Sequence, residues 1–163
     1  MKITFQGNPL TLTGAQLKPG DTLKDFIVTK NDLSPLTLAD TKGIRIFLTV
    51  PSLDTPVCDM EIREFNKRAA GLPNVTIYTI SMDLPFAQAR WCGAAGVNSV
   101  TTVSDYKDKT FAAATGTLIA ELGLLTRAAF VVDSTGKVTY TEYLSEITDQ
   151  PNFDAILAAA KSA

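Results

Sequence analysis

Three consecutive segments between residues 44 and 80 constrain this chain most. Ile44-Arg45-Ile46-Phe47-Leu48-Thr49-Val50 is an apolar, β-branched run of strand length. Between Thr55 and Ala70, residues Cys58, Ile62, Phe65 and Ala69 recur at i, i+4, i+7 and i+11, which places them on one face of a helix; Asp59, Glu61, Arg63, Glu64 and Lys67 take the other positions. Val75 to Ile80 is a second β-branched strand. Two strands joined through a helix form a parallel crossover, and that crossover must lay its helix on a sheet face.

The flanking segments extend the pattern. Ile3 to Phe5 and Leu10 to Leu12 surround Gly7-Asn8, a pair suited to a tight turn, so a β-hairpin is expected at the start. Phe26 to Thr29 and Leu36 to Leu38 read as short strands after the Pro19-Gly20-Asp21 loop. A helix begins near Pro85 and ends around Gly93 and Gly96. Val100 to Val103 reads as a strand and Lys109 to Ala114 as a short helix closed by Gly116. Ala128 to Val132 and Val138 to Tyr143 flank Asp133-Ser134-Thr135-Gly136 as an antiparallel hairpin, and a helix after Pro151 buries Phe153, Ile156, Leu157 and Ala160. The sum is an α/β chain of thioredoxin-like fold: a mixed central sheet flanked by helices, preceded by an N-terminal β-hairpin. A length of 163 residues with 45% hydrophobic content suits a single domain spanning residues 1–163, and no repeat or linker argues for a second.

Composition removes whole classes of chemistry. The chain has no histidine, which excludes Ser-His-Asp and Cys-His catalysis and His-ligated zinc. Its two cysteines are too few for a four-cysteine metal site. The net charge of −2 and the absence of a Lys/Arg cluster leave no footprint for nucleic acid or anionic lipid. Met1 to Leu12 lacks the apolar core of a secretory signal, and the longest stretch free of charge, Trp91 to Ser104, is too short to span a bilayer; a cytoplasmic protein is expected.

The remaining chemistry belongs to the thiols. Thr55 is a suitable N-cap, Pro56 a suitable first helical residue, and Cys58 follows in the first turn, where free backbone N–H groups and the helix dipole favour a thiolate over a thiol of ordinary pKa about 8.5. Asp54, Asp59 and Glu61 oppose this by their charge, so a cation from elsewhere is required, and Arg127, directly ahead of the strand at Ala128, is the best placed. Taken singly, Cys58 also suits a small core residue, Thr55 a plain cap and Arg127 a solvated charge; their combination points to a reactive thiol. Cys92, beside Trp91 at a helix end, is open to three readings: a core cysteine, a static disulfide partner, or a transient catalytic one, of which a reducing compartment disfavours the second.

Pro51, Thr55 and Cys58 spell P-x-x-x-T-x-x-C, and Pro51-Ser-Leu-Asp-Thr-Pro-Val-Cys58 resembles the bacterial thiol peroxidases, atypical two-cysteine peroxiredoxins. The likeness continues through Ser81-Met-Asp-Leu-Pro-Phe-Ala-Gln-Ala-Arg-Trp-Cys92 and Leu124-Leu-Thr-Arg127-Ala-Ala-Phe130-Val-Val-Asp133 and covers nearly the whole chain; Met82 departs from the residues common at that position. The resemblance implies that Cys58 attacks the peroxide and that Cys92 of the same subunit resolves it. It further implies that Thr55 and Arg127 hold thiolate and peroxide, that Pro51 shields the sulfur, that the chain forms a homodimer, and that thioredoxin is the reductant. No metal, flavin or haem is implied. A general dithiol oxidoreductase is the weaker alternative, because Thr55 stands where its first cysteine belongs. A redox sensor using the same thiols without turnover is the other.

Overall fold

The computed structural model describes residues 1–69 and 71–163, with Ala69 as backbone alone. A seven-stranded sheet runs in the order β11-β10-β5-β6-β7-β3-β4. Its parallel centre is β5 (Ile44–Thr49), β6 (Val75–Ser81) and β7 (Val100–Ser104). The antiparallel flanks are β10 (Ala128–Val132) with β11 (Val138–Tyr143) on one side, and β3 (Ile27–Lys30) with β4 (Pro35–Thr37) on the other. The helices are α1 (Pro56–Ala69), α2 (Pro85–Ala95), α3 (Thr110–Thr115) and α4 (Phe153–Ser162).

Because successive strand residues point to opposite faces, a sheet covered on both sides reads as a continuous apolar run. Along β5, Ile46 and Leu48 enter the core beneath α1, α2 and α4, where Ile62, Phe65, Ile156 and Ala160 also lie. Phe47 enters the opposite core with Phe26, Tyr78 and Phe111. β10 divides likewise, with Ala129 and Val131 on the helical side and Phe130 and Val132 on the other. Cys58 and Cys92 belong to the same side of the sheet.

The mixed sheet, its flanking helices and the opening hairpin agree with the sequence, and four details are corrected. The hairpin of β1 (Lys2–Phe5) and β2 (Asn8–Thr13) turns through Gln6-Gly7, at φ 49° and 80°, rather than Gly7-Asn8. Asn8 is already paired with Phe5, and positive φ at both turn residues suits the twist of a two-residue hairpin. The hairpin is also part of a four-stranded sheet completed by β8 (Leu118–Ile119) and β9 (Leu124–Leu125), strands too short to show periodicity. The second short strand stops at Thr37, because Thr37 and Asp40 form a capping box that turns Leu38–Asp40 into a 3₁₀ helix. Glu61, expected on the solvent side of α1, is fully buried. Ala70, the expected end of that helix, and the side chain of Ala69 lie outside the described residues.

Gly116 closes α3 at φ 65°, and a Cβ there would stand 2.5 Å from the Ala15 carbonyl oxygen, so this position requires glycine.

Candidate active site

The site grows from the loop that leaves β5. Ser52 Oγ and the Leu53 N–H donate to the Asp83 carboxylate at 2.6 and 2.8 Å, and Ser81 Oγ donates to it at 2.8 Å. Asp83 thus ties the end of β6 to the segment that delivers the thiol. Thr55 Oγ1 donates to the Ser52 carbonyl at 3.0 Å and accepts the Cys58 N–H at 3.4 Å, which makes Thr55 the N-cap of α1. Its own carbonyl accepts the Asp59 N–H at 3.0 Å, the first full helical bond. Cys58 therefore sits in the first turn, as its spacing from Thr55 predicts, and its side chain is fully buried.

Arg127 directly precedes β10, whose first residue, Ala128, pairs with Thr49 of β5. Thr49 Oγ1 donates to the Thr126 carbonyl at 2.8 Å, and the Arg127 carbonyl accepts the Leu144 N–H at 3.1 Å, so the backbone around the arginine is fixed on both sides. All three arms of the guanidinium are used: Nε donates to the Ile147 carbonyl at 2.8 Å, Nη1 to Glu61 Oε2, and Nη2 to Cys58 Sγ at 3.0 Å. Arg127 is only 2% exposed, so it is a fixed donor against the sulfur rather than a solvated charge.

Glu61 is the residue that reading the sequence missed. It lies at i+3 from Cys58 and i−4 from Phe65, a spacing that shares their face; its charge suggested solvent instead. Burial pushes its carboxyl up to about 7 against the opposing pull of Arg127. Arg127 itself loses solvation, and the Glu61 and Cys58 contacts outweigh that loss and raise its pKa.

The other acidic neighbours of Cys58 have partners too. Asp59 accepts from Arg63 Nε at 2.8 Å and from Trp91 Nε1 at 2.8 Å. The Arg63 contact, with the Trp91 bond adding to it, holds the Asp59 carboxyl below its ordinary range against the opposing effect of desolvation. Asp54 is exposed and faces Arg90 at 3.9 Å.

Pro51, Thr55 and Arg127 border one pocket of about 130 Å³, whose remaining walls are largely apolar and include Phe5 from the hairpin, Leu122 from the β8–β9 turn and Val57. Pro51 is buried. The structure thus brings four of the five singled-out residues together. The fifth, Cys92, lies apart in the last turn of α2, half-buried, with its sulfur 3.2 Å from Thr102 Oγ1 of β7. Both thiols are free. Among the described residues, no group of three or more His, Cys, Asp or Glu side chains is placed to hold a metal ion. No described helix is long and apolar enough to cross a membrane.

A thiol in the capped first turn of a helix that follows the central strand of a thioredoxin-like sheet, with a buried guanidinium against its sulfur, defines a protein of the peroxiredoxin class. A family model described as Redoxin matches residues 18–157. The thiol peroxidase of Clostridium acetobutylicum is 56% identical over 163 residues, covering 100% of this chain and 99% of that one. The thiol peroxidase of Bacillus subtilis is 52% identical and covers 99% and 97%. A solved peroxiredoxin-like protein from Aquifex aeolicus superposes with a TM-score of 0.93 at 39% identity, covering 99% of this chain and 96% of that one. The chain belongs to the Redoxin family, and within it to the thiol peroxidases: it is a thiol-dependent peroxidase.

Proposed function

We propose that Cys58 is the peroxide-reducing thiol and Cys92 its resolving partner in the same subunit. The observation that carries this reading is the 3.0 Å contact from Arg127 Nη2 to Cys58 Sγ in a helix turn capped by Thr55. The Cys58 thiolate attacks one peroxide oxygen in line with the O–O bond; an S–O bond forms, the O–O bond breaks, and the departing oxygen takes a proton and leaves as water or an alcohol. Arg127 and Thr55 stabilise the charge on the oxygens, and Pro51 walls the sulfur from bulk water. Cys92 then attacks the sulfenic sulfur, an S–S bond forms and water leaves, which forestalls oxidation to sulfinic acid. An external dithiol, thioredoxin, restores both thiols by exchange. Hydrogen peroxide and organic hydroperoxides are the substrates, and the largely apolar pocket beside Arg127 accommodates the organic part of the latter. No metal, flavin or haem takes part.

Residues 1–163 act as one domain: Thr4 of the opening hairpin donates to Ser145 and Glu146 across the full length of the chain. The working form is a homodimer in the cytoplasm, a reducing compartment that keeps both thiols free between turnovers.

Steady-state consumption of peroxide with thioredoxin and its reductase tests this reading. Many turnovers per protein are expected, and Cys58→Ser abolishes them. A single stoichiometric oxidation without turnover would make the thiols a sensor instead.

A further inference from the structure

The two cysteine-bearing helices are fastened to each other beside the thiols. Asp59, next to Cys58 in α1, accepts the indole N–H of Trp91, the neighbour of Cys92 in α2, at 2.8 Å. Its other carboxylate oxygen takes Arg63 Nε at 2.8 Å. The same guanidinium lies 5.8 Å from the centroid of the Trp91 ring and donates from Nη1 to the Ala95 carbonyl at 3.3 Å. Three side chains therefore hold both ends of the turn that carries Cys92. Within the turn itself, Gly93 lowers the helix propensity, and the left-handed Gly96 closes it with one bond from its N–H to the Cys92 carbonyl at 3.0 Å, which opening the turn also breaks.

In the reduced protein Cys92 rests against Thr102, while Cys58 is buried on a different helix. A disulfide requires the two Cα atoms to approach to about 5.5 Å, so the last turn of α2 must open before the thiols meet. Opening it breaks the Trp91–Asp59 and Arg63–Ala95 hydrogen bonds. We propose that Asp59, Arg63 and Trp91 form a latch that sets the rate at which Cys92 reaches the oxidised Cys58. The inference rests on the reading of Cys92 as the resolving thiol. These are positioning residues: they touch neither the peroxide nor the reacting sulfurs. A tight latch prolongs the life of the Cys58 sulfenic acid. During that time its sulfur can attack a second peroxide, gain a second oxygen and become sulfinic acid, with the peroxide reduced to water or an alcohol.

The test is rapid-quench alkylation and mass spectrometry of the reduced full-length protein in excess hydrogen peroxide, comparing the parent with Trp91→Phe and Arg63→Gln. Trp91→Phe keeps an aromatic ring while removing the donor to Asp59 and part of the buried indole; loss of a hydrogen bond to a charged acceptor is expected to speed disulfide formation about tenfold. Arg63→Gln moves the same way by less, since the Arg63 side chain is 49% exposed. The rate of sulfenic acid formation stays at the parent value, and the sulfinic fraction falls. A merely structural role would not accelerate one step while sparing the other. Disulfide formation that both variants leave unchanged or slow would overturn the latch. A parent protein that forms sulfenic acid at Cys58 but no Cys58–Cys92 disulfide would overturn the assignment of Cys92, and the latch with it.

Discussion

Arg127 divides one buried guanidinium between Cys58 and Glu61, with Nη2 standing 3.0 Å from the sulfur and Nη1 on the carboxylate. A rigid planar fork can serve a thiol, a carboxylate and the Ile147 carbonyl at once because its donors point in fixed, different directions. A lysine ammonium is a point donor and cannot span the same three groups. Arg127→Gln is therefore expected to slow the reaction of reduced protein with hydrogen peroxide by roughly a hundredfold to a thousandfold, the loss found when one preorganised donor is removed from a reacting centre. Arg127→Lys should recover only a small part. Stopped-flow kinetics of peroxide consumption checks both.

Glu61 gives that arrangement a pH dependence. Its carboxyl is pushed by burial from 4.5 to about 7. Between those values the folded protein holds a proton that the unfolded chain has released, so the associated stability is complete below 4.5 and is lost as pH rises through 7. Glu61→Gln removes the titration and keeps an acceptor for Arg127. The melting temperature of Glu61→Gln relative to the parent should therefore increase as pH is raised from about 5 to about 8. A difference that decreases over that range would mean that Arg127 outweighs burial.

Glu146 does the opposite work at the N-terminal hairpin. Its oxygens accept from Thr4 Oγ1 at 2.6 Å and from the N–H groups of Gln6 and Gly7 at 2.9 and 3.2 Å, so one carboxylate closes the turn. The Thr4 hydroxyl and then the Gln6 N–H lower its pKa to about 2 from 4.5. Its contribution is present above 4.5 and is lost as pH falls through about 2. Glu146→Ala should raise hydrogen exchange across Lys2–Phe5. Since Phe5 lines the pocket beside Arg127, it should also raise KM for a bulky organic hydroperoxide while leaving that for hydrogen peroxide unchanged.

Asp83 holds the loop ahead of Cys58 by accepting from Ser52, Leu53 and Ser81. Asp83→Ala leaves the Leu53 N–H without its partner, a loss of about 1–3 kcal/mol if that donor stays buried. A lowered melting temperature and a peroxide reaction slowed about tenfold are expected, because a displaced N-cap shifts the thiol against Arg127.

Local punctuation made most of this fold legible. The hairpin of β10 and β11 is found at its sequence-read bounds because Asp133-Ser134-Thr135-Gly136 stops both strands, and Thr55-Pro56 likewise fixes the start of α1. The association of Arg127 with Cys58 was legible as a need for a cation and in the place of Arg127 directly ahead of a buried strand, but its geometry was not, since the two are 69 positions apart. Glu61 was misplaced for the same reason: a glutamate reads as solvent-facing until its partner, 66 positions away, is seen against it. The turn at Gln6-Gly7 slipped by one residue because Gly7 suits either register, and the choice is made by Glu146, far along the chain. Asp83 and the Asp59–Trp91 contact carry no local signature, because each joins side chains from separate elements across the sheet or between helices.

The central claim, that the sulfur beside Arg127 is the one that attacks peroxide, is tested most directly by mass spectrometry of the Cys92→Ser protein after less than one equivalent of hydrogen peroxide and a sulfenic-acid trap. The account predicts a single adduct on Cys58, formed as fast as the parent consumes peroxide. An untrapped Cys58, or a Cys58→Ser protein that consumes peroxide at the parent rate, would contradict it.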